Sequence, residues 1–292
     1  MAAQIISILA ALMFSVGNVT LRYGLRTSTP ITSTLALAVV TLTIFAPIAL
    51  ATFPKAGFSY QGLLILVAAG IASPGLSRTL LTMSFERIGL SRSVTISNAA
   101  PLIAVILAVA FLGERPALPV YLGTLLIMAG VTCLTSEQRS AIQNKSNGKS
   151  VWHYFILALL ATLTLGVAAT LRKVGITLIP SLSTGLSMAA IGTLLVTSLW
   201  YPLLPQEHRI RLNRQGVGYF LASGLFTCVA QLGFFAALQR APLSIVMPLI
   251  CTVPLFTLVF SWFFFREVER LNFRMVIGVL LISSGASLVT MS

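Results

Sequence analysis

Arg78 lies inside an apolar run, shortly after Ser73-Pro74-Gly75 and well before the charged pair Glu86-Arg87. A charge at the centre of a membrane-spanning helix costs about 2.5 to 3.5 kcal/mol on insertion scales, so it is retained where a partner repays it. A guanidinium suits a carboxylate or phosphate, which its planar fork binds through two parallel N–H bonds. Two structural roles compete: the side chain can snorkel toward the headgroups, or donate to carbonyls that Pro74 releases. At an offset of 153 residues stands Gln231, again polar in an apolar run. Asn18 and Asn98 are further amides within runs. Each can bond a ligand or a neighbouring helix, the helix contact being worth about 0.6 kcal/mol. Arg78, Gln231, Asn18 and Asn98 are therefore the expected substrate-binding set.

Four more charged residues sit at run ends. Arg22 and Arg172 follow the same Thr-Leu pair at an offset of 150 and close the first run of each half, so gating and snorkelling are both open to them. Glu114 and Glu267 correspond at 153 and stand just before the next run. A carboxylate there can accept the N–H groups of a helix N-terminus, or pair with Arg115 or Arg266. Chemistry beyond binding finds few residues to use. The chain has no Asp, and Glu86, Glu114, Glu137, Glu207, Glu267 and Glu269 all fall at run ends or in loops. No embedded acid is present to exchange a proton or a cation. His153 and His208 lie in loops, and no glycine-rich loop cradles nucleotide phosphates. Cys133, Cys228 and Cys251 are too scattered for a disulfide framework or a metal set. Neither a catalytic residue nor a metal or cofactor is expected.

The elements that must position these residues follow from composition. With 57% hydrophobic residues, 9% charged and a mean hydropathy of +0.97, the chain could not cover a soluble surface. It reads as an integral membrane protein, all-α, with the lipid bilayer as its surroundings. The net charge of +13 comes from basic residues set singly or in pairs at run ends, which anchor helices and set topology. Nucleic-acid binding needs a continuous basic patch and is not expected. At roughly 20 residues per span, ten helices use the chain almost completely. They are expected at about 3–23, 31–53, 63–85, 94–112, 120–135, 154–171, 182–201, 217–238, 244–265 and 275–289. The start, MAAQIISILAALMF, lacks a basic leader and a cleavage site, and reads as a retained first helix. A first unit at 1–136 and a second at 152–292 flank a polar linker at 137–151.

The two units repeat one another. Arg87, Leu90, Ser91, Pro101 and Glu114 recur as Arg240, Leu243, Ser244, Pro254 and Glu267 at an offset of 153. After a two-residue insertion, Gly123, Gly130 and Thr135 recur as Gly278, Gly285 and Thr290. The glycines lie two turns apart on one helix face, a spacing that lets backbones approach closely. Five helices per unit is an odd number, so the second copy enters the membrane the other way up and the repeats are inverted. Orientation gets a mixed signal. With the N-terminus inside, Lys55, Arg115, Arg172, Lys173 and Arg240 are the five cytoplasmic basic residues. Thirteen of the 19 then lie outside, with Arg78 within a span. That count favours termini outside.

Pro101 with Leu112-Gly113-Glu114, then Gly123 and Gly130, together with Pro254, Glu267, Gly278 and Gly285, resembles the EamA-type family of the drug/metabolite transporter superfamily. The likeness spans essentially the whole chain. The second copy departs from it with Phe265-Arg266-Glu267 in place of Leu-Gly-Glu. The resemblance implies two inverted five-helix repeats around a central cavity, cytoplasmic termini, and secondary transport of small metabolites, often export of amino acids. A monomer in the inner membrane of a bacterial cell, exporting an amino acid or related carboxylate by alternating access, is the expectation. A phosphorylated-sugar or drug carrier of the same fold, and a lipid-handling membrane protein or enzyme, stay open as alternatives.

Overall fold

A long apolar stretch can satisfy its backbone in hydrocarbon only by coiling into a helix. The structure is a computed structural model describing residues 1–25, 28–52, 59–88, 90–137, 152–203, 210, 214–264 and 273–291. Glu267 and most of the expected linker lie outside the described residues. The first half comprises α1 (Ala2–Gly24), α2 (Pro30–Ala51), α3 (Tyr60–Gly70), a π-helical turn (Ile71–Leu76), α4 (Ser77–Ile88), α5 (Leu90–Ser97), α6 (Ala100–Leu112) and α7 (Leu118–Glu137). The second comprises α8 (Trp152–Leu178), α9 (Leu182–Trp200), α10 (Arg214–Arg240), α11 (Leu243–Ile250), α12 (Val253–Phe264) and α13 (Phe273–Thr290). The chain is a multi-pass membrane protein. Among the described residues, nine helical stretches are long and apolar enough to cross a bilayer, and Met275–Thr290 is a shorter apolar helix. Leu50, Phe111, Leu199 and Leu280 are exposed, as a surface bathed in lipid requires.

Local chemistry sets the helix ends. The Ser59 hydroxyl accepts from the Gly62 N–H at 3.1 Å, and Thr29 and Ser181 cap α2 and α9 in the same way. α6 stops at Gly113, whose φ of +66° is the left-handed conformation that closes a helix, and the Glu114 N–H then reaches back to the Ala108 carbonyl at 3.2 Å.

Two expectations about the spans need correction. The fourth and ninth, read as unbroken runs, are each two helices, parted at Asn98-Ala99 and at Cys251-Thr252. Pro101 and Pro254 withhold the N–H that a continuing helix offers to the carbonyl four residues back. The chain tightens instead: the Ala99 N–H bonds the Ile96 carbonyl at 3.0 Å, and at the corresponding place the Thr252 N–H bonds that of Leu249 at 3.2 Å. The sixth span, expected to end near residue 171, continues to Leu178. Arg172 and Lys173 are therefore helical residues well before its end, because each finds a partner there, and neither belongs to a loop.

The helices pack in matching pairs. α1 lies along α10 as α8 lies along α3 and α4, while α2 meets α9 and α7 meets α13. In the last pair a Cβ on Gly123 would stand 2.6 Å from the Gly285 carbonyl oxygen, and one on Gly130 would stand 2.7 Å from that of Gly278. The start of α7 thus faces the end of α13, so these corresponding helices run antiparallel and the two repeats are inverted. α3 and α9 cross closer still: a Cβ on Gly70 would fall 1.9 Å from the Ala189 oxygen, and one on Gly192 would fall 2.0 Å from that of Val67. A Gly70→Ala protein should consequently lose at least about 1 to 3 kcal/mol of stability through overpacking. Gly218→Ala, at a helical position with nothing within 4 Å of the added carbon, should leave stability unchanged or slightly raised. Melting curves of the two detergent-solubilised proteins check this, and equal melting temperatures would contradict the crossing.

Candidate functional site

The repeats enclose a cavity of about 450 Å³. α1 supplies Phe14 and Asn18, the π-helical turn Ser73 and Pro74, and α4 Arg78. The breaks of the fourth and ninth spans contribute Asn98, Pro101, Cys251 and Pro254, α8 contributes Arg172, and α10 adds Thr227, Gln231 and Phe234. The four residues expected to bind substrate, Arg78, Gln231, Asn18 and Asn98, therefore all stand on one wall system. They differ in commitment. The Asn98 amide donates to the Thr135 hydroxyl at 3.3 Å, so part of its capacity goes to holding α7. The Arg78 side chain has no hydrogen-bond or ion-pair partner among the described residues, and its guanidinium is free to meet whatever enters.

The third span shows why Arg78 is free. Its π-helical turn departs from helical geometry at Ser73 (φ −154°, ψ +131°), next to a cis Ser73-Pro74 peptide. Pro74 has no N–H to give the Gly70 carbonyl, and the turn leaves the Ser73 carbonyl facing away from its own helix. Both oxygens are met from the opposite half. The Thr193 hydroxyl, 2.9 Å from the Ala189 oxygen in its own helix, is 3.2 Å from that of Gly70. Arg172 donates through Nη2 to the Ser73 carbonyl. The role of satisfying the break, which the sequence left open to Arg78, belongs to Arg172. Its guanidinium also lies over the Phe234 ring, 5.9 Å from the centroid, within cation–π range. Its Nε is buried without a partner.

The run-end residues separate in the structure. Arg22, two residues from the end of α1, is exposed and outside the cavity wall, whereas Arg172 is part of it. Their shared Thr-Leu context thus leads to unlike positions. Glu114, aimed by the left-handed Gly113, crosses to the other repeat. The Leu243 N–H donates to its Oε1 at 2.7 Å and the Ser244 N–H to its Oε2 at 2.9 Å, so one carboxylate caps α11. Lys173 holds the other side of the same elbow, donating to the carbonyls of Leu238 and Ala241, the latter at 2.8 Å. A cation on the end of α10 and an anion on the start of α11 complement both helix dipoles. Sequence reasoning missed Lys173 and placed Arg172 wrongly. The apolar residues 174–179 that follow them, ahead of Pro180, are the signal that the helix continues.

Charge distribution completes the site. Among its described lining residues the charged side chains are Arg78 and Arg172, and none of them is a carboxylate or a histidine. No group of His, Cys, Asp and Glu able to hold a metal occurs among the described residues. The remaining wall is chiefly apolar, with Phe14, Met128, Met247 and Ile250 prominent. Such a chamber suits a small molecule that carries an anionic group and a nonpolar body.

Comparison with known proteins agrees with this architecture. Residues 1–136 and 152–291 match the EamA-like transporter family. The pseudopaline exporter CntI of Pseudomonas aeruginosa, from strains UCBPP-PA14 and PAO1, is 31% identical over 132 residues, which is 44% of this chain and 45% of the exporter. The alignment thus spans about half the length of these curated relatives. A crystal structure of a protein given no further description superposes with a TM-score of 0.81 over 99% of this chain and 96% of its own. At 14% identity it shows a common fold alone.

Two substitutions separate scaffold from ligand contact. Arg172→Met strands the buried Ser73 carbonyl and should lower stability by about 1 to 3 kcal/mol, whereas Arg78→Met removes a charge that has no side-chain partner and should melt at the parental temperature or above. If the two melt alike, Arg172 is not the partner of the break. Glu114→Ala removes the cap of α11 and should cost about 0.5 to 2 kcal/mol. Hydrogen exchange read on the first turn of α11 should accelerate in that variant; unchanged protection there would contradict the capping role.

Proposed function

The chain belongs to the EamA-like transporter family, and from that premise we propose that it is a secondary carrier exporting a small carboxylate, an amino acid or a related compound, across the inner membrane of a bacterial cell. The observation that carries the reading is the partnerless Arg78 in a cavity between two inverted repeats. Arg78 grips the carboxylate through its fork, Gln231, Asn18 and the remaining capacity of Asn98 bond the polar atoms beside it, and the apolar wall receives the rest. Access alternates as one repeat rocks against the other around the fixed site. The protein moves its ligand without chemical change and works as a monomer. The name of the relative supports export as the direction, and the absence of an acid from the spans argues against proton or cation exchange at the site.

A second reading gains from one observation. A phosphorylated sugar calls for more than one basic group, and Arg172 brings a second guanidinium to the wall. Arg172 is already engaged with the Ser73 carbonyl and Phe234, so the carboxylate reading is preferred.

Melting of the detergent-purified protein distinguishes these readings, because a ligand at 100 times its Kd stabilises the native state by about 2.7 kcal/mol. Amino acids and organic carboxylates should raise the melting temperature, organic cations should not, and Arg78→Ala should abolish the response. Stabilisation by sugar phosphates alone supports the second reading, and a response to cations that survives in Arg78→Ala overturns both.

A further inference from the structure

We infer that the ligand is an amphipathic carboxylate bearing no ammonium group: an acid whose nitrogen, where it has one, is acylated, or a 2-oxo or 2-hydroxy acid. This rests on the carboxylate reading above and narrows it.

The argument is an inventory of charge. A free amino acid brings one carboxylate and one ammonium into the chamber, and both must leave water. Arg78 answers the carboxylate. An ammonium offers three donors and a full positive charge, and it would meet a wall whose charges, among the described residues, are two guanidiniums. No carboxylate from the spans can come to it, because the chain has no Asp and every Glu lies at a run end or in a loop. Glu114, the acid whose contacts are seen, spends both oxygens on the N–H groups of α11. The backbone oxygen released at Ser73 already accepts from Arg172. What remains for an ammonium is neutral oxygen: the amides of Asn18, Gln231 and Asn98, the Thr227 hydroxyl, and the backbone at Ser97 and Ile250, four residues before Pro101 and Pro254. Neutral amide oxygens compensate a buried cation less well than a carboxylate does, least of all beside like charges.

The same wall suits a neutral nitrogen. An acylamino group carries one N–H donor and one C=O acceptor, and a primary amide such as that of Gln231 offers a donor and an acceptor in return. A 2-oxo or 2-hydroxy acid needs only part of that pairing. Phe14, Met128 and Met247 then provide an apolar surface for an aliphatic or aromatic body. One net negative charge entering beside two fixed positive ones offsets part of the chamber's charge, whereas a zwitterion brings no net charge to offset it.

Matched ligands test this on the full-length protein in detergent. Leucine, phenylalanine and alanine are titrated against melting temperature beside their N-acetyl and 2-oxo counterparts, with leucine methyl ester as the cation of the same shape. The blocked and oxo acids should reach half-maximal shift at concentrations at least about tenfold below those of the free amino acids, a difference of about 1.4 kcal/mol in binding. The ester should give no shift. Arg78→Gln, once its ligand-free melting temperature is shown to match the parent, should lose the response to the blocked acids. If free amino acids act at equal or lower concentrations, the cavity does accommodate an ammonium and the inference is wrong, while the carboxylate reading stands. If no acid of any type shifts the melting temperature, or the ester alone does, the carboxylate reading fails and the inference with it.

Discussion

A carbonyl oxygen inside a bilayer must find its donor within the protein, and that requirement at Ser73 shapes much of this site. A helix that unwinds halfway through the membrane opens space for a ligand but exposes backbone that lipid cannot solvate. Here the exposed oxygens of one repeat are met by Arg172 and Thr193 of the other. The two halves are thereby joined at the cavity wall, which both Ser73 and Arg172 line. Because Arg172 takes the structural duty, Arg78 is left with its donors unspent.

The same economy governs the elbow between α10 and α11. Two charged side chains from different spans, Lys173 and Glu114, satisfy the end of one helix and the beginning of the next. Glu114 reaches its target because Gly113 adopts a backbone conformation that turns the chain sharply after α6. The Leu-Gly-Glu motif is thus a geometric device: Leu112 packs against the core, Gly113 ends the helix and turns the chain, and Glu114 binds the neighbouring repeat. None of the three touches the cavity except through the helices it fixes.

Much of this was legible in the sequence. Polar residues in apolar runs are conspicuous, and Arg78, Gln231, Asn18 and Asn98 could be singled out from their position within runs, Arg78 and Gln231 also from their correspondence in the repeat. The glycine spacing pointed to close packing, which the α7 and α13 crossing displays. Two kinds of information were not legible. Charged residues look like helix ends when only composition is read, so Arg172 and Lys173 seemed to close a span that runs on to Leu178. Partners that lie about a hundred residues apart in sequence, such as Arg172 and Ser73, depend on how the halves dock, which no local pattern encodes. The breaks at Asn98-Ala99 and Cys251-Thr252 fall between these extremes. Pro101 and Pro254 marked their neighbourhood, but a proline can sit in the first turn of a helix as well as interrupt one, and only the backbone bonds decide which.

The crossing of α7 with α13 has a consequence for the ancestry of the molecule. Gly123 meets Gly285 and Gly130 meets Gly278, while in the repeat Gly123 corresponds to Gly278 and Gly130 to Gly285. Each side therefore offers the other the same patch. Such a contact is isologous, the type that joins identical subunits about a two-fold axis. A single five-helix unit would already possess a surface complementary to a copy of itself lying upside down, so fusing two genes needed to invent no new interface, only a tether.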